Sequence, residues 1–151
     1  MANLKAPVSL SDLVSEWRED APMNVTEPGL EMMRVPNLHA KYLAILTYHS
    51  MRVKKIMLDY KKLRQVKFDY YDGSLNNPED LEKHGLPPNQ RRYLKTQIPD
   101  LLDADDDLNK ILMDKMVHDE IVEFCKAVIK ELNNRVWQVR SFIDWQKFTN
   151  P

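Results

Sequence analysis

Glycine is scarce in this chain, with three in 151 residues, at positions 29, 73 and 85. A loop that cradles phosphate needs several glycines close together, so P-loop and dinucleotide-binding readings are excluded. Cysteine is scarcer still. Cys125 stands alone, which excludes an intramolecular disulfide and suits a reducing compartment. Long hydrophobic runs are missing: the longest aliphatic stretches span four residues, such as Leu43 to Leu46. No membrane span is expected from such runs, and the N-terminus lacks the apolar segment of a signal peptide. Nor does one sign of charge dominate, because 22 Lys+Arg face 23 Asp+Glu. Whole-chain basicity therefore cannot argue for nucleic acid. What is present is 43% hydrophobic and 30% charged sequence, enough for the core of one domain.

The helix breakers are clustered. Nine prolines fall at 7, 22, 28, 36, 78, 87, 88, 99 and 151, and neither Pro nor Gly occurs between Pro36 and Gly73 or between Pro99 and Pro151. The chain thus reads as two long helical segments with broken stretches around them. A short helix opens the chain, capped by Ser9 with Asp12 in capping-box spacing, and Leu10, Leu13, Val14 and Trp17 share one face. Pro22 to Pro36 reads as irregular. The first long helix is predicted from near Asn37. Leu38, Tyr42, Ile45, His49, Val53, Ile56, Tyr60 and Leu63 form its apolar stripe, and Gly73 ends it in a left-handed conformation. Residues 74–90 read as a long polar loop.

The second long helix is predicted to start at the aspartates after Pro99. It carries two heptad seams, Leu108, Lys115, Val122, Ile129, Val136, Ile143 and Ile111, His118, Cys125, Leu132, Val139, Gln146. A helix of 40 residues would run about 60 Å, more than one small domain covers. Part of it is therefore expected to pack against other copies of the chain, with Val122, Cys125, Ile129, Leu132, Val136, Val139 and Ile143 as the oligomerisation residues. The alternative is a helical hairpin closed within a monomer. The fold class expected is mainly α, a long-helix bundle with a C-terminal coiled-coil-like oligomerisation helix and a mobile central loop.

The near-neutral total hides blocks of charge. Residues 52–67 hold seven cations (Arg52, Lys54, Lys55, Lys61, Lys62, Arg64, Lys67) against Asp59 alone, while residues 98–123 hold nine acids against Lys110 and Lys115. A second basic cluster, Arg91-Arg92-Tyr93-Leu94-Lys95, follows the polar loop, and Tyr60, Phe68, Tyr70 and Tyr71 lie near these cations in sequence. Cations that track phosphates beside aromatics that stack on bases suit single-strand binding. The candidate nucleic-acid residues are Lys54, Lys55, Lys61, Lys62, Arg64, Lys67, Arg91, Arg92, Lys95 and Tyr93. A lysine-rich helix face is also what a plain solvated surface looks like, so these residues alone leave the choice open.

Other chemistry is weaker. Asp103, Asp105, Asp107 and Asn109 mimic a calcium loop, but Leu108 stands where Gly is needed, and helix capping explains the run better. The four histidines lack metal-ligand spacing with Cys125. Cys125 lies on an apolar seam with no partner base indicated. No cofactor, metal or catalytic residue is expected, and the chain does not read as an enzyme.

At Val66-Lys67-Phe68-Asp69-Tyr70-Tyr71-Asp72-Gly73 a basic helix ends in a hydrophobic residue, Asp-Tyr-Tyr, a polar residue and Gly. This pattern resembles the UvsY family of phage recombination mediators. The resemblance extends through the amphipathic Leu10 to Trp17 segment, the Lys54-Lys55 to Lys67 helix, Tyr93-Leu94-Lys95, and the Asp-rich start of a C-terminal helix containing Phe124-Cys125. It implies a non-enzymatic protein that binds single-stranded DNA, contacts a phage recombinase and a phage single-strand-binding protein, and forms a homo-oligomeric ring, hexamer or heptamer, in the cytoplasm of the infected bacterium. It divides the chain into a DNA-binding region, 1–98, and a C-terminal oligomerisation helix, 99–151. The family's basic pair before Asp-Tyr-Tyr falls here on Gln65 and Lys67, with Arg64 one place earlier. The competing reading is a coiled-coil structural or adaptor protein with no nucleic-acid role.

Overall fold

The structure, a computed structural model, describes residues 9–89 and 91–150; the N-terminal stretch read for a leader falls outside them. Five helices and no strand occur among the described residues, and none of those helices is long and apolar enough to cross a membrane.

Helix α1 (Leu10–Asp20) starts at Ser9, whose Oγ accepts the Asp12 N–H at 3.2 Å, and ends where the Ala21 N–H donates to Trp17 O. Helix α2 runs over Pro28–Asp72, nine residues earlier than the start predicted at Asn37. The Asn24 side chain turns the chain by accepting the Thr26 N–H, and Pro28 takes the first helical position, where a missing N–H costs nothing. Pro36 lies inside the helix and deletes one backbone hydrogen bond. The helix persists through it because buried residues lie on both sides, Glu31 before it and Leu38 after it. Gly73 closes α2 with φ +85°, and the Leu75 N–H reaches back to Asp69 O at 2.9 Å.

The polar stretch after Gly73 is not an open loop. It carries helix α3 (Pro78–Lys83), capped by Asn77 and closed at Gly85 with φ +64°. The Asn-Pro-Glu-Asp start is a helix signature in its own right. The second long helix is split. Helix α4 (Ile98–Asp103) stops at Ala104, and α5 (Asp106–Thr149) restarts after Asp105. The Asp105 Oδ1 accepts the Asp107 and Leu108 N–H groups at 3.0 Å each, so the aspartate run caps a helix as expected.

Two compact units form. The first joins the chain up to Met51 with the chain from Val117 onward, and the second is Arg52–Met116. These boundaries differ from the 98/99 division, because α4 and the start of α5 pack in the same unit as the basic half of α2. In the first unit α1, α2 and α5 enclose Leu13, Leu38, Tyr42, Ile121, Cys125, Val128 and Leu132. Tyr42 is fully enclosed; its ring meets Trp17 edge-on and its hydroxyl donates to Asp20 at 3.0 Å. His49 and His118 are buried together, Nδ1 to Nδ1 at 2.7 Å. In the second unit Ile98, Leu102 and Leu108 form the core, with Tyr60, Leu63, Phe68, Tyr71 and Tyr93 packed against it.

The heptad seam of α5 is thereby reassigned. Cys125 and Leu132 have no exposed surface, Val122 and Val139 are buried, and Ile129 packs on the core. The chain's own α1 and α2 occupy that face, so Cys125 and Leu132 are core residues and not contacts for another copy. Of the seven expected oligomerisation residues, Val136 is exposed and Ile143 half-buried.

Candidate nucleic-acid interface

The apolar stripe of α2 faces the core, which leaves its flanking lysines in water. Lys54, Lys55, Lys61 and Lys62 are exposed and Arg64 is half-buried. Arg52 and Lys55 line a groove with Asp59 of α2 and Lys110, Ile111 and Asp114 of α5. Two carboxylates dilute the positive field there. Lys61 and Lys62 lie about two turns further along the helix, roughly 10 Å away at 1.5 Å per residue.

The second cluster is held against the C-terminal end of the same helix. The Tyr70 hydroxyl donates to Pro87 O at 2.8 Å, and the Asn89 side-chain amide donates to Tyr70 O at 2.8 Å. Asn89 Oδ1 in turn accepts the Arg91 N–H at 3.2 Å. Residues 91–94 are irregular, and a turn follows in which the Gln97 N–H donates to Leu94 O. Arg91, Arg92 and Lys95 are exposed. Arg91, Arg92 and Lys95, on this tethered segment, thus belong to the same unit as Lys61, Lys62 and Arg64 of α2.

Two candidates do not fit as expected. Lys67 is buried, and its Nζ lies 3.0 Å from Asp105 and 2.9 Å from Asp107. It was expected among the strand-binding cations; the aspartates at the start of α5 instead draw it inward. Burial alone would lower its pKa, but hydrogen bonds and charge from both aspartates raise it above the ordinary lysine value. Burial would likewise raise the Asp105 carboxyl, but the Leu108 N–H, Lys67 and the Asp107 N–H together hold it below its usual value. Tyr93 is half-buried, with its ring edge-on to Tyr71 at 5.7 Å. It packs on the core and so is not a free stacking platform. The Lys67–Asp105–Asp107–Tyr71 group escaped the sequence reading, although Lys67 stands seven residues after Tyr60 and four after Leu63, in register with the apolar stripe of α2, which is a signal for it.

Among the described residues no group of three or more His, Cys, Asp and Glu could hold a metal ion. Burial pushes the Cys125 thiol up to about 11, far from a reactive thiolate at neutral pH.

A family model described as "Recombination, repair and ssDNA binding protein UvsY" matches residues 16–151. Crystal structures of the bacteriophage T4 recombination mediator protein UvsY are similar in fold. One (lattice type II) aligns with TM-score 0.80 at 20% identity over 94% of this chain and 98% of that one. Another (lattice type I) aligns with TM-score 0.79 at 20% identity over 91% and 98%. No curated protein sequence matches the chain. With the match spanning all but the first fifteen residues, the chain belongs to the UvsY family of recombination, repair and single-stranded-DNA-binding proteins.

Proposed function

We propose that this protein binds single-stranded DNA through Lys61, Lys62, Arg64, Arg91, Arg92 and Lys95, with Lys54 and Lys55 extending the track, and loads a phage recombinase onto DNA coated by a phage single-strand-binding protein. The observation that carries this reading is the tether. A basic segment with no regular structure is tethered through Pro87 and Asn89 to Tyr70 of the basic helix, which supports reading the two cation sources of this unit as one track for one polyanion. Each phosphate neutralised releases counterions, and affinity falls with salt.

One subunit offers few cations, so the reading includes a ring of several copies, which raises effective affinity through multivalency. The surface proposed for assembly is the end of α5, where Val136, Trp137, Trp145 and Phe148 are exposed and Ile143 is half-buried. Several large apolar side chains left exposed on one helix end support reading it as an interaction surface. The division of labour remains strand contact in 1–98 and assembly in 99–151. The protein acts in the cytoplasm of the infected bacterium and catalyses no reaction; it repositions other proteins on the strand. The test is recombinase filament growth on strand precoated with single-strand-binding protein. Adding this protein shortens the lag before growth; an unchanged lag contradicts the mediator role.

A further inference from the structure

The two places that correspond to the family's basic pair are both occupied with internal bonds. The Gln65 side-chain amide donates to Asp69 at 2.9 Å, one turn along α2. Lys67, 7% exposed, is held between Asp105 and Asp107. Asp105 is itself 8% exposed and caps α5 through the Asp107 and Leu108 N–H groups. The Tyr71 hydroxyl donates to the same Asp105 oxygen that faces Lys67, at 3.4 Å. The Tyr71 ring then meets Tyr93 edge-on, and Tyr93 is the residue between Arg92 and Leu94.

We infer that Lys67 is a positioning residue and not a phosphate contact: it fixes Asp105, Asp105 fixes Tyr71, and Tyr71 seats Tyr93, so that the Arg91–Lys95 segment presents its cations to the strand. Drawing Lys67 out to a phosphate would break two charge-assisted hydrogen bonds and strand a buried carboxylate, which is strongly unfavourable. One solvent-exposed phosphate contact returns much less. Strand contact in this chain therefore falls on Arg91, Arg92 and Lys95 and not on the Gln65/Lys67 positions. This inference rests on the single-strand reading above.

The test uses the full chain and a labelled oligothymidylate over a salt series, with trypsin cleavage after Arg91 and Arg92 as a second readout. Arg92→Ala flattens the log–log salt slope by about 0.7 for each subunit engaged. Lys67→Met weakens binding and speeds cleavage after Arg91 and Arg92 several-fold. Lys67→Arg keeps the carboxylate partners and restores both readouts. The triple variant Lys67→Met/Asp105→Asn/Asp107→Asn removes every charge of the cluster while the amide oxygen at position 105 still caps α5, and it keeps the wild-type salt slope. A triple variant whose slope flattens as Arg92→Ala does makes Lys67 a phosphate contact and overturns the inference. So does unchanged cleavage in Lys67→Met. A wild-type protein without salt-dependent binding overturns the single-strand reading instead, and the cleavage arm still judges the positioning role.

Discussion

Replacing Leu132 by alanine separates a core residue from an interface residue. Leu132 has no exposed surface and sits among Leu13, Leu38, Tyr42, Ile121, Cys125 and Val128. These walls come from three helices that are also held by Tyr42–Asp20 and Lys41–Asp20, so they close only partly over the missing atoms. Leucine-to-alanine changes at such sites cost about 2–5 kcal/mol, a large share of a total stability of about 5–15 kcal/mol. At about 3 kcal/mol the melting temperature of a chain this size falls by about 6–12 °C. Val136→Ala, one turn along α5 and 40% exposed, is the control and shifts stability by no more than about 0.5 kcal/mol. Urea denaturation followed by tryptophan fluorescence reads the stability, and sedimentation of the folded variants reads the particle mass. A Leu132→Ala protein with the wild-type denaturation midpoint and a smaller particle would refute the reasoning, because Leu132 would then be serving a neighbouring copy.

Three further outcomes follow from the same structure. Cys125, with its thiol near 11, resists alkylation in the folded protein at neutral pH and reacts once urea unfolds it; a native rate equal to that of a free thiol contradicts its burial. Asp105 sits below its ordinary 3.8 and Lys67 above its ordinary 10.5. The Asp105 contribution is therefore full above 3.8 and is lost as pH falls through its folded value, whereas the Lys67 contribution is full below 10.5 and is lost as pH rises past its folded value. Thermal melts across pH show both limbs, and Asp105→Asn flattens the acid one; an unchanged acid limb contradicts the pairing. Gly73→Ala meets no atom within 4 Å but must hold φ +85°, so it costs about 1–2 kcal/mol from backbone strain alone, measured by the same denaturation.

Apolar periodicity made the long helices legible. Leu38, Tyr42, His49 and Ile56 are the buried members of the predicted α2 stripe, because a 3.6-residue repeat records which face is dry. It does not record what lies against that face. Cys125 and Leu132 were expected at a contact between copies, yet α1 and α2 of the same chain cover them. Prolines misled for a related reason. Pro28 begins a helix, Pro36 sits within it and Pro78 starts another, since a proline breaks a helix only where its missing N–H is needed. The candidate interface was legible as a list of cations but not as a geometry. Lys61 and Arg92 declare their charge in sequence, whereas the fate of Lys67 depends on Asp105, 38 residues away. Tyr93 carries the same lesson, because its packing on Tyr71 is a long-range contact that no local pattern encodes.

The most direct measurement is sedimentation of the purified protein with a labelled oligothymidylate at low and at high salt. Pooled positive patches predict a particle of several subunits that carries the oligonucleotide at low salt and releases it as salt rises. A lone subunit that leaves the oligonucleotide behind at low salt would contradict the account.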